Sequence, residues 1–306
     1  MKKFISQAII YVILFTLTLF IGLEVTSYIV KNRDFKNHET ESNLLIMNSD
    51  ENYDLLFLGI SHARNFSRHK NHLRIEKILD KRIINIGQGD AACGINEQLF
   101  YLEYFYQNNN KTKDLIFVFS PPLLFSETLP IASNTFLREP FNLDFFTSYL
   151  VFQTENKYQR LQYYLRSKLQ PSWLMHYPYS LESEKNCLSK IDSIKVQQGQ
   201  EYAYKGGVNM ERFEKSCDAT KKIIELAIRN NTNVIILIPP AVFGKWKGHE
   251  EIVEFGLALK KEYNDSLMFY DFSEAVLEPS YYYDHHHLNT IGVEYFTKNM
   301  MKKIVK

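Results

Sequence analysis

The segment Tyr53-Asp-Leu-Leu-Phe-Leu-Gly59-Ile-Ser61-His-Ala63 joins a short apolar run to a glycine and a serine. Residues 53–59 have the length and composition of a buried strand. A serine that directly follows such a strand is presented at its carboxyl end, which is the edge where parallel sheets bind ligands. Ser61 is therefore a candidate nucleophile, although a loop or helix-capping serine would occupy the same place.

Strand-length and helical patterns alternate along most of the chain. Strands are predicted at residues 53–59, 82–86, 114–120, 233–239 and 267–271, and helices at 71–79, 96–107, 210–230, 250–263 and 290–306. This alternation predicts an α/β domain with a parallel sheet covered on both faces. It lapses at 121–208, where aromatic residues are frequent, so we expect a helical cap or a substrate-shaping insertion there.

The N-terminal residues differ from the rest of the chain. Residues 4–23 are mostly apolar, with Gln7 the only strongly polar member, and about twenty such residues cross a bilayer as a helix. We predict an uncleaved anchor at 1–30, with a signal peptide as the alternative, a polar tether at 31–50 and a catalytic domain at 51–306. Basic residues flank both ends of the span, so their distribution does not decide its orientation. From the usual fate of such N-termini, we expect a single-pass protein of the cytoplasmic membrane with its domain outside.

Composition argues against nucleic-acid binding and against a structural role of the cysteines in disulfides or metal sites. The 306 residues carry a formal net charge of +1, and basic residues are dispersed among acidic ones, so no nucleic-acid-binding face is expected. Cys93, Cys187 and Cys217 match neither a disulfide framework nor a metal motif, and we expect each to be a small buried residue.

Asp284 and His287 lie three residues apart in the run Asp284-His-His-His287-Leu-Asn289. If both residues were on one helical turn, the carboxylate would orient the imidazole and leave Nε2 free to act as a base. Metal binding by Asp284, His285 and His287 is the alternative, but no second ligand cluster completes such a site, so we predict none. His62 is expected to form a pocket wall or the surface, and Asn289 to cap the last helix.

These elements should meet at one edge of the sheet. The run Asn85-Ile-Gly87-Gln-Gly89 follows the second predicted strand, and its glycines would let a backbone N–H approach an oxyanion. A tight turn without a ligand would use the same glycines.

Together the serine, glycine and Asp-x-x-His motifs resemble the SGNH (GDSL-like) hydrolase superfamily. The membrane-anchored layout is similar to that of cell-surface polysaccharide O-acyltransferases and D-alanyl transfer proteins. This resemblance implies a three-layer, flavodoxin-like sheet of five parallel strands in the order 2-1-3-4-5. It also implies Ser61 as nucleophile, His287 as base, Asp284 as its orienting carboxylate, and the backbone N–H groups of Ser61 and Gly89 as oxyanion donors, with Gly87 as the alternative.

The chain departs from that family after the third strand. The family has Gly-x-Asn-Asp there, whereas this chain has Val118-Phe-Ser120-Pro-Pro122. An absent oxyanion donor costs about a hundredfold or more in rate. Either Ser120 or a residue of the insertion replaces the asparagine, or the site is weak or degenerate.

The resemblance implies serine-dependent transfer or hydrolysis of an acyl ester on a cell-surface glycan, without a cofactor. Its implied partners are the glycan or acyl donor and a multi-spanning membrane acyltransferase. A catalytically weak scaffold in a polysaccharide-modification complex is the alternative. An α/β-hydrolase is disfavoured because its serine follows a later strand.

Overall fold

The computed structural model describes residues 1–34, 49–87, 94–126, 136, 139–171, 187–204 and 207–305. Its centre is a five-stranded sheet in the order β2-β1-β3-β4-β5, in which every pair of neighbours is parallel. The strands are β1 (Asn52–Leu58), β2 (Ile83–Asn85), β3 (Lys111–Val118), β4 (Asn233–Ile238) and β5 (Leu267–Asp271). The predicted fold class, strand number and strand order are therefore confirmed.

Helices connect and cover the strands. They are α1 (Lys2–Asp34), α2 (Ser61–Arg64), α3 (Asn71–Leu79), α4 (Ile95–Gln107), α5 (Pro121–Phe125), α6 (Leu143–Val151), α7 (Lys157–Lys168), α8 (Ser193–Ala203), α9 (Met210–Arg229), α10 (His249–Tyr263), α11 (Thr290–Phe296) and α12 (Lys302–Ile304). A π-helical segment, Thr297–Met301, separates the last two, so the single helix predicted at 290–306 is wrong in this detail. The buried Thr297 hydroxyl donates to the Val293 carbonyl, a contact that competes with regular helical bonding.

Both faces of the sheet are buried because the side chains of each strand alternate between them. Leu56 and Leu58 of β1 face a core built with α4, α9 and α10, together with the helices of the insertion. Leu55 and Phe57 face a second core built with α3 and α11. This division produces three layers and explains why the strands are almost continuously apolar.

The insertion between β3 and α9 is helical in its described parts and rich in buried aromatic rings. Phe136, Phe145, Tyr149 and Tyr164 are fully or almost fully buried, and they pack against Phe100 of α4 or against one another. They therefore form part of the hydrophobic core. A buried ion pair of 2.7 Å between Glu97 and Arg160 also ties the insertion to α4. Trp173, Tyr177 and Tyr179 lie outside the described residues.

Helix α1 is long and apolar enough to span a membrane, the one such helix among the described residues. Its C-terminal part packs on the insertion, where Leu23, Ser27 and Val30 are buried. The Ser27 hydroxyl accepts the Phe141 N–H at 2.7 Å, and a carboxylate oxygen of Glu24 accepts the Leu143 N–H at 2.8 Å. The helix ahead of Leu23 is about 30 Å long, which still matches a bilayer core.

Helix α1 continues to Asp34, into the segment 31–50 that was predicted as a tether, and residues 35–48 lie outside the described part. The expectation of buried cysteines is wrong for Cys187, which is exposed on the surface. Cys217 is half-buried against the core, and burial raises the pKa of its thiol to about 12. Cys93 is not among the described residues.

Candidate active site

Ser61 lies at a sharp turn between β1 and α2. Gly59 makes this turn with a φ of +146°, a conformation that side-chain-bearing residues rarely adopt. A Cβ atom at this position would also lie 2.9 Å from both the Ala63 Cβ and the Val118 carbonyl oxygen. The turn therefore needs glycine, and it places Ser61 partly exposed at the carboxyl edge of the sheet.

The structure brings Ser61, His287 and Asp284 into one hydrogen-bonded line. Nε2 of His287 lies 2.8 Å from Oγ of Ser61, although the two residues are 226 positions apart. Nδ1 of the same ring lies 2.8 Å from Oδ2 of Asp284. The carboxylate accepts a hydrogen bond from Nδ1–H, so Nε2 carries the lone pair that faces the serine hydroxyl.

Asp284 and His287 do not share a helical turn, and the helical geometry assumed from their spacing is wrong. They lie in a loop ahead of α11, in which Oδ1 of Asp284 accepts the backbone N–H groups of His286 at 2.9 Å and His287 at 2.8 Å. An aspartate that bonds to the backbone two and three residues later stabilises a turn. The same carboxylate thus shapes the loop and orients the imidazole.

Several buried contacts fix this loop against the serine turn. Nδ2 of Asn65, which directly follows α2, donates to the Leu288 carbonyl at 2.6 Å. Asn289 caps α11 as predicted, since its Oδ1 accepts the Gly292 N–H at 2.9 Å. A Cβ atom at Gly292 would collide with the Tyr281 carbonyl oxygen. The distance between base and serine is therefore set by Asn65 and by the close packing at Gly292.

The charges of the site are set mainly by burial and by this pairing. Burial alone would raise the pKa of Asp284, but His287 and the hydrogen bonds hold it well below its ordinary value. Burial, followed by the adjacent His287, lowers the pKa of His286 to about 3. Burial also lowers the pKa of His62, with smaller contributions from His287 and His286. At neutral pH, Asp284 is ionised, and His62 and His286 are uncharged.

The predicted oxyanion donors have different outcomes. The backbone N–H of Gly87 donates to Oδ1 of Asn85 at 2.8 Å, so it is already engaged. Engagement of this N–H by the Asn85 side chain was not predicted from the sequence. Ser120 is fully buried, with its Oγ 2.8 Å from Nδ1 of His62. Gly89 lies outside the described residues. The N–H of Ser61 starts a helix and thus has no acceptor within it.

His62 is the functional candidate that sequence reasoning undervalued. Its side chain is 6% exposed, and its ring centroid lies 4.9 Å from that of His287 and 5.4 Å from that of His286. One ring nitrogen from each of these three histidines lies within 4.8 Å of the other two. The available signal was the position of His62 beside Ser61, at the edge where the histidine-rich loop was expected.

Comparisons with known proteins find similarity at the level of solved structures only. No family model and no curated protein matches this chain. Among solved structures, the chain is similar to a "putative acylhydrolase" from Bacteroides fragilis, with 13% identity and a TM-score of 0.41, covering 90% of this chain and 98% of that one. A likeness this distant does not assign the chain to a family.

Proposed function

We propose that the protein cleaves acyl esters through a covalent acyl-Ser61 intermediate and passes the acyl group to a second hydroxyl or to water. The observation that carries this proposal is the continuous line of hydrogen bonds from Asp284 through His287 to Ser61. A serine hydroxyl becomes nucleophilic when an adjacent base takes its proton and a third group orients that base.

In the first half-reaction, Nε2 of His287 takes the Ser61 proton while Oγ attacks the ester carbonyl carbon. Asp284 stabilises the imidazolium that forms, and the Ser61 N–H donates to the developing oxyanion. The ester carbon–oxygen bond then breaks, and the imidazolium returns its proton to the departing alcohol. In the second half-reaction, His287 deprotonates the acceptor hydroxyl, which attacks the acyl-serine. The bond to Oγ then breaks, and the imidazolium returns the proton to Ser61.

The proposed acceptor is a sugar hydroxyl of a cell-surface glycan, with water as the competing acceptor. The apolar helix α1 supports a site held close to a membrane, because its C-terminal part is packed directly on the domain. Delivery of the acyl group by a multi-spanning membrane acyltransferase belongs to the same proposal and rests on the family resemblance.

A scaffold with weak or absent catalysis is the second candidate, and the oxyanion geometry favours it. The Gly87 N–H already donates to Asn85, and Ser120 is fully buried beside the His62 ring. Among the described residues, the predicted candidates therefore leave the Ser61 N–H as the one donor to the oxyanion. If Gly89 supplies none, the rate would fall by about a hundredfold or more.

Labelling of the full chain with a fluorophosphonate tests the enzyme against the scaffold. The chain is kept intact in detergent micelles with EDTA, because removing α1 would expose Leu23's partners in the insertion. If the protein is an enzyme, the wild type should be labelled and Ser61→Ala should not. Ser126→Ala is the matched control and should be labelled as the wild type is. An inert but folded wild type refutes catalysis and supports the scaffold.

A further inference from the structure

Three imidazoles meet beside Ser61, and two of them have one nitrogen fixed by a neighbouring oxygen. Nδ1 of His287 pairs with Asp284 at 2.8 Å, and Nδ1 of His62 pairs with the Ser120 hydroxyl at 2.8 Å. Nδ1 of His286 lies 3.6 Å from the other carboxylate oxygen of Asp284. Oxygen partners of this kind on the remote ring nitrogen are typical of metal-binding histidines, because they fix the tautomer and the ring orientation.

Nε2 of His62 is buried without a hydrogen-bond partner. The backbone of His286 lies close enough to this ring to raise the pKa of His62 slightly against the larger effect of burial, but Nε2 has no partner within hydrogen-bond geometry. Buried ring nitrogens are normally paired, so an unpaired one that faces two further imidazoles calls for a ligand. A lone pair on Nε2 is available when Nδ1–H donates to Ser120.

The separation of the nitrogens suits a single ion. In a triangle whose sides are at most 4.8 Å, a central point lies within about 2.8 Å of each corner. Zinc–nitrogen bonds are about 2.0–2.1 Å long, so shifts of each ring of less than about 1 Å complete the coordination. Three neutral imidazoles and an open fourth position are a donor set that Zn²⁺ and similar transition-metal ions prefer.

We propose that His62, His286 and His287 bind one divalent transition-metal ion of the zinc class, and that this ion switches off the serine. The regulatory half of this inference rests on the proposed function. Nε2 of His287 has one lone pair, which either accepts the Ser61 proton or binds the ion. Metal binding and acyl-serine formation therefore exclude each other.

The test combines calorimetric titration of Zn²⁺ with fluorophosphonate labelling, both on full chain in micelles that has been stripped with EDTA and then freed of chelator. The wild type should bind one Zn²⁺ per chain, and His62→Gln and His286→Gln should each weaken binding by about a hundredfold. Each variant should lose zinc inhibition of labelling relative to its own metal-free rate. His285→Gln is the matched control, because its ring is outside the cluster, and it should bind as the wild type does.

The possible outcomes separate the two proposals. The metal site is overturned, whatever the labelling shows, if the wild type does not bind Zn²⁺ stoichiometrically or if both cluster variants bind it as tightly as the wild type does. Cluster-dependent binding to a chain that never labels keeps the metal site and refutes the acyl-serine function. Should either cluster variant unfold in a thermal melt, the other provides the result, since each removes a different ligand.

Discussion

Replacing Asp284 with asparagine probes the orientation and charge of the base without removing the base. The carboxylate accepts three hydrogen bonds, two at Oδ1 from the backbone and one at Oδ2 from Nδ1 of His287. An amide has one acceptor oxygen, and keeping the turn requires that oxygen at the Oδ1 position. The NH₂ group then faces Nδ1, so the ring proton moves to Nε2 and points at the Ser61 hydroxyl.

This tautomer cannot accept the serine proton, and the imidazolium also loses its carboxylate. We expect the labelling rate of Asp284→Asn to fall by about 10³–10⁴-fold, or about 4–5.5 kcal/mol in the activation barrier, the loss seen in serine proteases for the same change. The assay is the pseudo-first-order rate of fluorophosphonate labelling with EDTA, and a thermal melt confirms that the variant is folded.

Asp271→Asn is the matched control. Asp271 pairs with His249 at 3.0 Å, so the substitution makes the same chemical change in a separate aspartate–histidine pair. Its labelling rate should stay within about threefold of the wild type, in the range of substitutions away from the reacting groups. A folded Asp284→Asn protein that loses less than tenfold, or that matches Asp271→Asn, would refute the assigned role of Asp284.

Three further predictions concern stability and positioning. Gly292→Ala should lower the unfolding free energy by more than about 3 kcal/mol in denaturant melts, because the added methyl group would collide with the Tyr281 carbonyl oxygen. Gly199→Ala, in a helix with open space around it, should raise the unfolding free energy by about 0.5–1 kcal/mol. Equal effects of the two substitutions would contradict the packing argument. Asn65→Ala should slow labelling by about 10–100-fold, because losing the bond to the Leu288 carbonyl misplaces His287. The surface substitution Asn230→Ala should leave the labelling rate unaltered. Equal labelling rates for the two variants would show that the Asn65 contact is dispensable. The lowered pKa of Asp284 adds stability that is complete above the ordinary carboxyl pKa of about 3.9 and is lost as pH falls below it. The difference in unfolding free energy between wild type and Asp284→Asn should therefore be constant from pH 7 to about pH 5 and shrink below about pH 4. A difference that widens on acidification would contradict this prediction.

The strands and most helices were predictable because local patterns determine them. The helix Asn71–Leu79 and the strand Leu267–Asp271 agree with the prediction to the residue. Burial of both sheet faces makes each strand an apolar run that ends in turn residues, and this signal needs no tertiary information. The last helix was predicted as one regular helix, because the Thr297 hydroxyl bond beside the π-helical segment is a contact that periodicity does not report.

Much of the site depends on contacts that no local pattern encodes. Ser61, Asp284 and His287 were predictable as a group, because strand ends converge at one edge of a parallel sheet. The pairing of His62 with Ser120 and the engagement of Gly87 by Asn85 depend on side-chain directions within the folded chain. The turn around Asp284 was missed because the spacing of aspartate and histidine fits a helix and a side-chain-stabilised loop equally well.

The most direct test of the central claim is detection of the covalent intermediate itself. The 306-residue chain in micelles with EDTA is mixed with p-nitrophenyl acetate, quenched in acid, digested and analysed by mass spectrometry. We predict one acetyl group on the peptide that contains Ser61, reduced in His287→Ala and absent from Ser61→Ala. An unmodified Ser61 peptide in folded wild-type protein, under conditions where p-nitrophenol is released, would contradict catalysis through an acyl-serine.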